Sequence, residues 1–543
     1  MSINYTRFRE YWKVLLQERY YPEWSGYKKN LMAETRTSKS LKNARVALIY
    51  YFMQLVLSFF SRKIFFEYLG SEVLGLNTTA TNLLGFLNLA ELGVSSAVSF
   101  FLYQPLYDND HDKINRLVSL QGWIYRNVAF IIILASAVLM FFFPAIFSKS
   151  PLPIWYAYLT FGVLLFSSLL GYFRNYRQIV LYADQKDYKI QEYVQGAVIL
   201  KTLLQIVSMI LFPYPFFSWL LLEFIGAIVT TVLLNCIIKK NYPWLKTCVA
   251  DGKKYLKEYP EVLKKTGQAF FHKIGGVVLG QSSPLIVYAF TSLTTVALYG
   301  NYMLIVGKVG HLMETVFSST GAAIGNLVAS KDKPRIISVF WELYDSRMCM
   351  SVVALLCLYH LSNPFITLWL GQEYCLDNTF LLLYIALNSI GMTRSTVDAY
   401  LSAHGLYKDV WAPLTEAALN IGFSILLGCY WGLNGIIVGI LISQIAIISF
   451  WKPFFLFRGG LHMPAHKYFL PVAYRYGVSI VLFIFFHYAF EVLHLDQIET
   501  VRDFIGASFI VGFSCLMVVG SMFYVLFPGV KDFVQRLKRI IAR

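Results

Sequence analysis

The side chains in this 543-residue chain with the most chemistry to offer are ionisable groups set inside long apolar runs. They are Arg62, Lys63, Lys201, Lys308 and Arg394 among the cations, and Glu91, Glu314, Asp398 and Glu416 among the carboxylates. An uncompensated charge in hydrocarbon costs several kcal/mol, about 2.5 to more than 10 by different routes, so each must meet a partner, a ligand or a wet cavity. Lys201 lies deep in its run, too far from either surface to snorkel, with Gln205 and Ser208 on the same helical face. That makes it a candidate for holding an anion. Arg62 and Lys63 sit near the end of the first run, where reaching out to headgroups is the competing reading; His272 and Lys273 are only two turns from a surface, where snorkelling is favoured. Arg394 and Asp398 stand one turn apart, placed to pair in either a structural or a functional role.

Two polar stripes stand out. Asn77, Thr81, Asn88, Glu91 and Ser95 follow helical spacing along one face, and Asn301, Lys308, His311, Thr315 and Ser318 form a second stripe with Glu314 beside it. The stripes read either as the walls of one central cavity or as interhelical hydrogen bonding in packed bundles. Carboxylates beside cations can exchange protons or sodium ions, so Glu91, Glu314, Asp398 and Glu416 are candidates for ion coupling. Glu416 shares a face with Asn420 and Ser424 just after Pro413, which fits a braced kink equally well.

Other chemistries lack their parts. Asp108, Asp110 and Asp112 resemble an acidic metal triplet but sit in a short loop that reads as a solvated turn. The seven cysteines form no CxxC pair, and no Walker, GxSxG or HExxH motif is present. No metal or organic cofactor is expected; a proton or sodium gradient, or the membrane potential, is the expected energy source.

The elements that must position these residues are membrane helices. With 57% hydrophobic residues, 17% aromatics and only 14% charged residues, the chain has more apolar surface than a soluble core could hide. Apolar runs of about 18 residues or more recur throughout, and the alternating pattern of barrel strands is missing. We read an all-α polytopic membrane protein of about fourteen spans. They lie near 44–68, 73–102, 114–147, 152–182, 188–212, 215–238, 267–290, 294–330, 335–361, 376–402, 409–430, 433–457, 467–490 and 503–527.

The net charge of +16 is spread over alternate loops, leaving Arg62, Lys63, Lys149 and Arg502 on the opposite side. This arrangement reads as topology with both termini cytoplasmic, and argues against a nucleic acid partner. The first forty residues have no apolar signal core, so the first span is expected to act as its own membrane signal. Tyr5, Phe8, Trp12 and Leu15 oppose Arg7, Arg9 and Lys13, which suggests an interfacial amphipathic helix or a partner-docking helix in segment 1–43. A basic linker over 241–266 divides a first six-span lobe (44–240) from a second (267–457), followed by two further spans (458–527) and a basic tail (528–543). Val73, Gly75 and Asn77 before Glu91 are faintly echoed by Val296, Gly300 and Asn301 before Glu314.

The stretch from Arg62 to Pro105, RKIFFEYLGSEVLGLNTTATNLLGFLNLAELGVSSAVSFFLYQP, resembles the first two helices of bacterial polysaccharide flippases of the O-antigen and capsule type. The likeness continues in YRQIVLYADQKDY (Tyr176 to Tyr188), FITLWLG (Phe365 to Gly371), RSTVDAYLSAHGLYKDVWAPLTEAALN (Arg394 to Asn420), GLNGIIVGILIS (Gly432 to Ser443) and WKPFFLF (Trp451 to Phe457). It implies the multidrug, oligosaccharidyl-lipid and polysaccharide exporter superfamily, with two pseudo-symmetric six-helix lobes plus two C-terminal helices in a bacterial inner membrane. It further implies flipping of an undecaprenyl-diphosphate-linked oligosaccharide from inner to outer leaflet by alternating access.

Arg62, Glu91, Arg394, Asp398 and Glu416 fall within the matching stretches, whereas Lys201 and Lys308 rest on burial arguments alone. Expected partners are the lipid-linked oligosaccharide, membrane lipids and glycan-assembly proteins. A drug or small-cation exporter of the same superfamily is the alternative, and it would want a cavity of opposite charge. A membrane polymerase or ligase would need outer-face room that the short connections do not give, and a scaffold for glycan assembly would work through the basic loops instead.

Overall fold

The computed structural model describes residues 36–317, 324–325, 327–328, 330–406, 408–409, 411–493 and 498–541. The amphipathic segment expected within 5–16 lies outside the described residues, as do Ser318 and the side chains of His272 and Lys273.

Every regular element is a helix among the described residues, and ten of the helices are long and apolar enough to cross a bilayer. Helix α1 (Arg36–Leu87) is two helices joined at Gly70, whose φ of 82° lies where a Cβ is disfavoured. It is followed by α2 (Val94–Asp108), α3 (His111–Phe141), α4 (Ile154–Phe173), α5 (Gly196–Leu211) and α6 (Pro215–Asn241). The second half begins after a short helix α7 (Gly252–Glu258) with α8 (Glu261–Phe290), α9 (Leu293–Phe317), α10 (Lys333–Trp369) and α11 (Asn378–Ala403).

Helix α12 (Trp411–Gln444) breaks at Trp431 and Gly432, and the span it opens continues to Gly460. The added helices are α13 (His466–Val492), α14 (Val501–Leu526) and α15 (Pro528–Ile541). Because α1 and the 411–460 segment each fold into two spans, and α8 and α9 are long but more polar, the all-α polytopic architecture of about fourteen spans holds.

Lipid-facing apolar side chains such as Phe141, Phe509 and Tyr430 are largely exposed, as expected where hydrocarbon is the solvent. With no hydrophobic drive between helices in lipid, cohesion rests on close packing and polar contacts. One core cluster joins the halves, from Leu76 and Leu84 through Val296 and Tyr302 to Phe380 and Ile436. A second fills the first half, and a third ties α10 and α11 to the C-terminal helices.

The two halves meet along an antiparallel seam. The first arm of α1 runs along α9, with Tyr51 at Lys308, Arg62 at Asn301 and Ser71 at Thr294. The second arm and α2 run along α8, with Gly85 against Gln281 and Gly93 against Ala269. A Cβ on Gly75 would come within 2.0 Å of the Leu293 carbonyl, so only glycine allows that approach. The echoed Gly75 and Gly300 thus both lie at the seam, Gly300 directly against Arg62.

Two segments read as basic linker and tail are ordered helices. In the linker, His111 stacks on Trp244 at 3.8 Å and α7 is tied by Arg116 to Glu258 at 2.7 Å. The hydrogen bond from Arg116 holds the Glu258 carboxyl below the usual carboxylate range. In the tail, α15 packs on α10, with Arg536 reaching Glu342 at 2.7 Å.

Candidate functional site

The expected row from Asn77 to Ser95 is not one continuous face. Helix α1 ends at Leu87, residues Asn88–Glu91 form a tight 3₁₀ turn, and Gly93 adopts a left-handed conformation before α2 begins. The physical reason is local: Gly93 packs close to the Thr266 carbonyl, and its φ of 92° re-aims everything after it. Asn88 accepts hydrogen bonds from Ser168 and Tyr172 at 3.1 and 2.9 Å, while Ser95 bonds the Tyr125 hydroxyl at 2.5 Å. Glu91 interacts with Tyr125 and Tyr172. These groups bond within the first half, Ser95 at an exposed position. Asn77 is half-buried, its Oδ1 shielded and without a hydrogen-bond partner among the described residues.

Lys201, expected to hold an anion, holds Glu223 instead. Both carboxylate oxygens lie 2.7 Å from Nζ, and Gln205 donates to the same carboxylate at 3.0 Å. The pair locks α5 to α6, with Gly226 giving the lysine stem room to cross. Sequence reasoning missed Glu223. The available signal was a single opposite charge at mid-depth in the next span.

In the second half the structure gathers a charge network from α9, α10, α11, α12 and the segment that follows α12. Glu314 on α9 accepts from Arg347 on α10 at 3.0 Å and from Ser395 on α11 at 3.1 Å. Arg394 donates to Asp398 at 2.9 Å, the expected one-turn pair, and Lys452 adds a second cation at 3.1 Å. Glu416 is buried within electrostatic reach of Arg394, Lys452 and Asp398, and its Oε1 has no hydrogen-bond partner among the described residues. Asn420, one turn on, is likewise buried, and neither of its side-chain polar atoms has a partner among the described residues. Three carboxylates face three cations here, so the formal charges of the network balance. Arg347 and Lys452 were missed because only tertiary folding brings them to it.

The seam itself carries different chemistry. Arg62 donates through Nε to Asn301 Oδ1 at 2.5 Å and through Nη2 to the Ala297 carbonyl at 2.9 Å. Lys308 lies with Nζ 5.2 Å from the centre of the Tyr51 ring, whose hydroxyl donates to the Lys308 carbonyl, and His311 packs on the same ring. Among the described residues neither cation forms an ion pair. Glu72 is at the far end of the seam, taken up by Ser71 and Thr294. Lys63, one residue from Arg62, is exposed.

Each ion pair among the described residues lies within one half, and the contacts across the seam are hydrogen bonds and packing. Trp369 Nε1 to the Phe59 carbonyl and Lys149 to the Ala289 carbonyl are further examples. The acidic triplet is ordinary: Asp110 caps α3 through the Lys113 amide, and Asp108 accepts from Gln104.

No protein-family model matches the chain, and no curated protein matches it. Among solved structures it is similar to an inward-facing multidrug resistance MATE family transporter of the MOP superfamily. That match has 13% identity, covers 76% of this chain and 98% of the other, and has a TM-score of 0.55. It is also similar to the lipid II flippase MurJ in an inward closed conformation, at 18% identity over 88% of this chain and 98% of the other, with a TM-score of 0.57. At these identities what is shared is the fold of a multi-pass membrane protein.

Proposed function

We propose that the chain is an alternating-access transporter that flips a diphosphate-linked, lipid-anchored oligosaccharide across the bilayer. The observation that carries this reading is the pair of seam cations, Arg62 and Lys308, held on neutral acceptors and an aromatic face while Lys201, Arg347, Arg394, Lys452 and Arg475 each contact a carboxylate. A hydrogen bond to an ionised acceptor is about twice as strong as one to a neutral acceptor, so a substrate phosphate reaching an opened seam would take over the Arg62 donors. Opening the seam breaks packing and hydrogen bonds, the latter each worth roughly 0.5–1.5 kcal/mol net, and separates no ion pair among the described residues. A fold shared with a MATE transporter and with a lipid II flippase supports movement of a substrate between two halves.

Glu416 with Asn420 is the candidate for coupling to protons or sodium, being a buried carboxylate beside an amide with unused hydrogen-bonding capacity. The half-exposed Glu314 favours a second reading, export of a small organic cation, which an accessible carboxylate would attract. Reconstitution of the purified protein in liposomes separates the two. Flipping of a fluorescent undecaprenyl-diphosphate oligosaccharide without accumulation of a fluorescent lipophilic cation supports the first; the reverse supports the second.

A further inference from the structure

A cavity of about 640 Å³ opens on the flank of the first half, away from the seam, between the ends of α4 and α6. Its lining is ordered by depth. On α6, Ile228, Val232, Cys236 and Lys239 follow helical spacing along one face, and the chain from α4 continues Leu170, Arg174 and Arg177 in the same sense. Both walls therefore run from apolar residues toward mid-bilayer to cations at the end that carries the basic loops. Ile228 is 39% and Val232 is 54% exposed, so the apolar wall is open to lipid.

The cations are uncompensated. No acidic side chain lines the cavity, and Arg174, Arg177 and Lys239 make no ion pair among the described residues. The nearby Asp184 carboxylate is taken by Lys186 at 2.5 Å and by the Tyr242 hydroxyl at 2.8 Å. The back of the cavity is built from polar contacts, Asn175 to Thr231 at 3.2 Å and Asn235 to Asn175 at 3.4 Å, which fix α6 against the turn after α4.

We infer that this cavity is a binding site for a single anionic phospholipid of the leaflet at the basic end, its phosphate among Arg174, Arg177 and Lys239 and its acyl chains along Ile228 and Val232. Charge complementarity selects the headgroup, and the apolar wall selects a membrane lipid over a soluble anion. The site does not depend on the transport reading, because none of its residues belongs to the seam.

Cys236 is exposed, lines the cavity and serves as a reporter; Cys248, exposed and outside it, is the control. The full-length protein is placed in vesicles of phosphatidylcholine, or of an equal mixture with phosphatidylglycerol, and maleimide labelling of each cysteine is followed by peptide mass spectrometry. The expected result is slowing at Cys236 relative to Cys248 by about fivefold or more in the anionic vesicles. Replacing Arg174, Arg177 and Lys239 by Gln should abolish that slowing, and Lys239→Gln alone, at an exposed position, should reduce it. Equal slowing at both cysteines, or protection that survives these substitutions, would overturn the site. Equal protection by inorganic phosphate in phosphatidylcholine vesicles would make it a free-anion site and overturn the lipid assignment.

Discussion

The interiors of the halves and the seam between them handle charge in opposite ways. Inside the halves, cations meet carboxylates: Lys201 with Glu223, Arg394 and Lys452 with Asp398, and Arg475 with Asp345 in a bidentate contact at 2.5 and 3.0 Å. At the seam, Arg62 and Lys308 meet an amide, a carbonyl and an aromatic ring. A buried ion pair cannot be opened without stranding two charges, whereas a seam of hydrogen bonds can part and re-form. On the transport reading proposed above, each half moves as a unit and the seam is the joint between them.

The sharpest way to break that comparison is at Asp345. Asp345→Ala leaves Arg475 buried and uncompensated against Trp341 and Phe527, a loss of about 3–5 kcal/mol. Fluorescence-detected size exclusion should show little folded protein, with recovery when Arg475→Met is added. Glu223→Ala should cost roughly 2 kcal/mol by the same mechanism in a less deeply buried setting, read as a lower melting temperature, and the charge-swapped pair Lys201→Glu with Glu223→Lys should restore most of it. A Glu223→Ala protein as stable as the parent would dissolve the distinction between interior and seam.

Lys308→Gln should shift unfolding by no more than about 1 kcal/mol, and Arg62→Gln by about 1–3 kcal/mol, because its partners are neutral but the buried Asn301 Oδ1 loses its donor. The smallest effect belongs to the exposed surface tie at Glu258. Its carboxyl is depressed in the folded state, so the tie is present at neutral pH and lost as pH falls through the folded value. Glu258→Gln should therefore leave the melting temperature at neutral pH nearly unchanged and flatten its acid dependence.

The architecture was legible because hydrocarbon imposes it: runs long enough to span must be helical. The Arg394–Asp398 pair was legible because helical spacing alone brings those residues together. Glu223 and Lys452 were not, since which span lies beside which is a tertiary fact. Periodicity projected Asn77 to Ser95 onto one face, but it cannot register a break such as the 3₁₀ turn and the left-handed Gly93. In the linker and tail, composition was visible while helical order was not, because α7 and α15 are held by contacts with distant residues, Arg116 and Glu342.

The most direct test of the joint is transport by the Arg62→Gln, Lys308→Gln double variant, reconstituted in liposomes with a fluorescent diphosphate-linked oligosaccharide lipid and scored by quenching from the outer leaflet. The account predicts a well-folded protein whose flipping rate falls by about tenfold or more, equivalent to a barrier raised by about 1.4 kcal/mol. Flipping at the parental rate by that folded variant would contradict it.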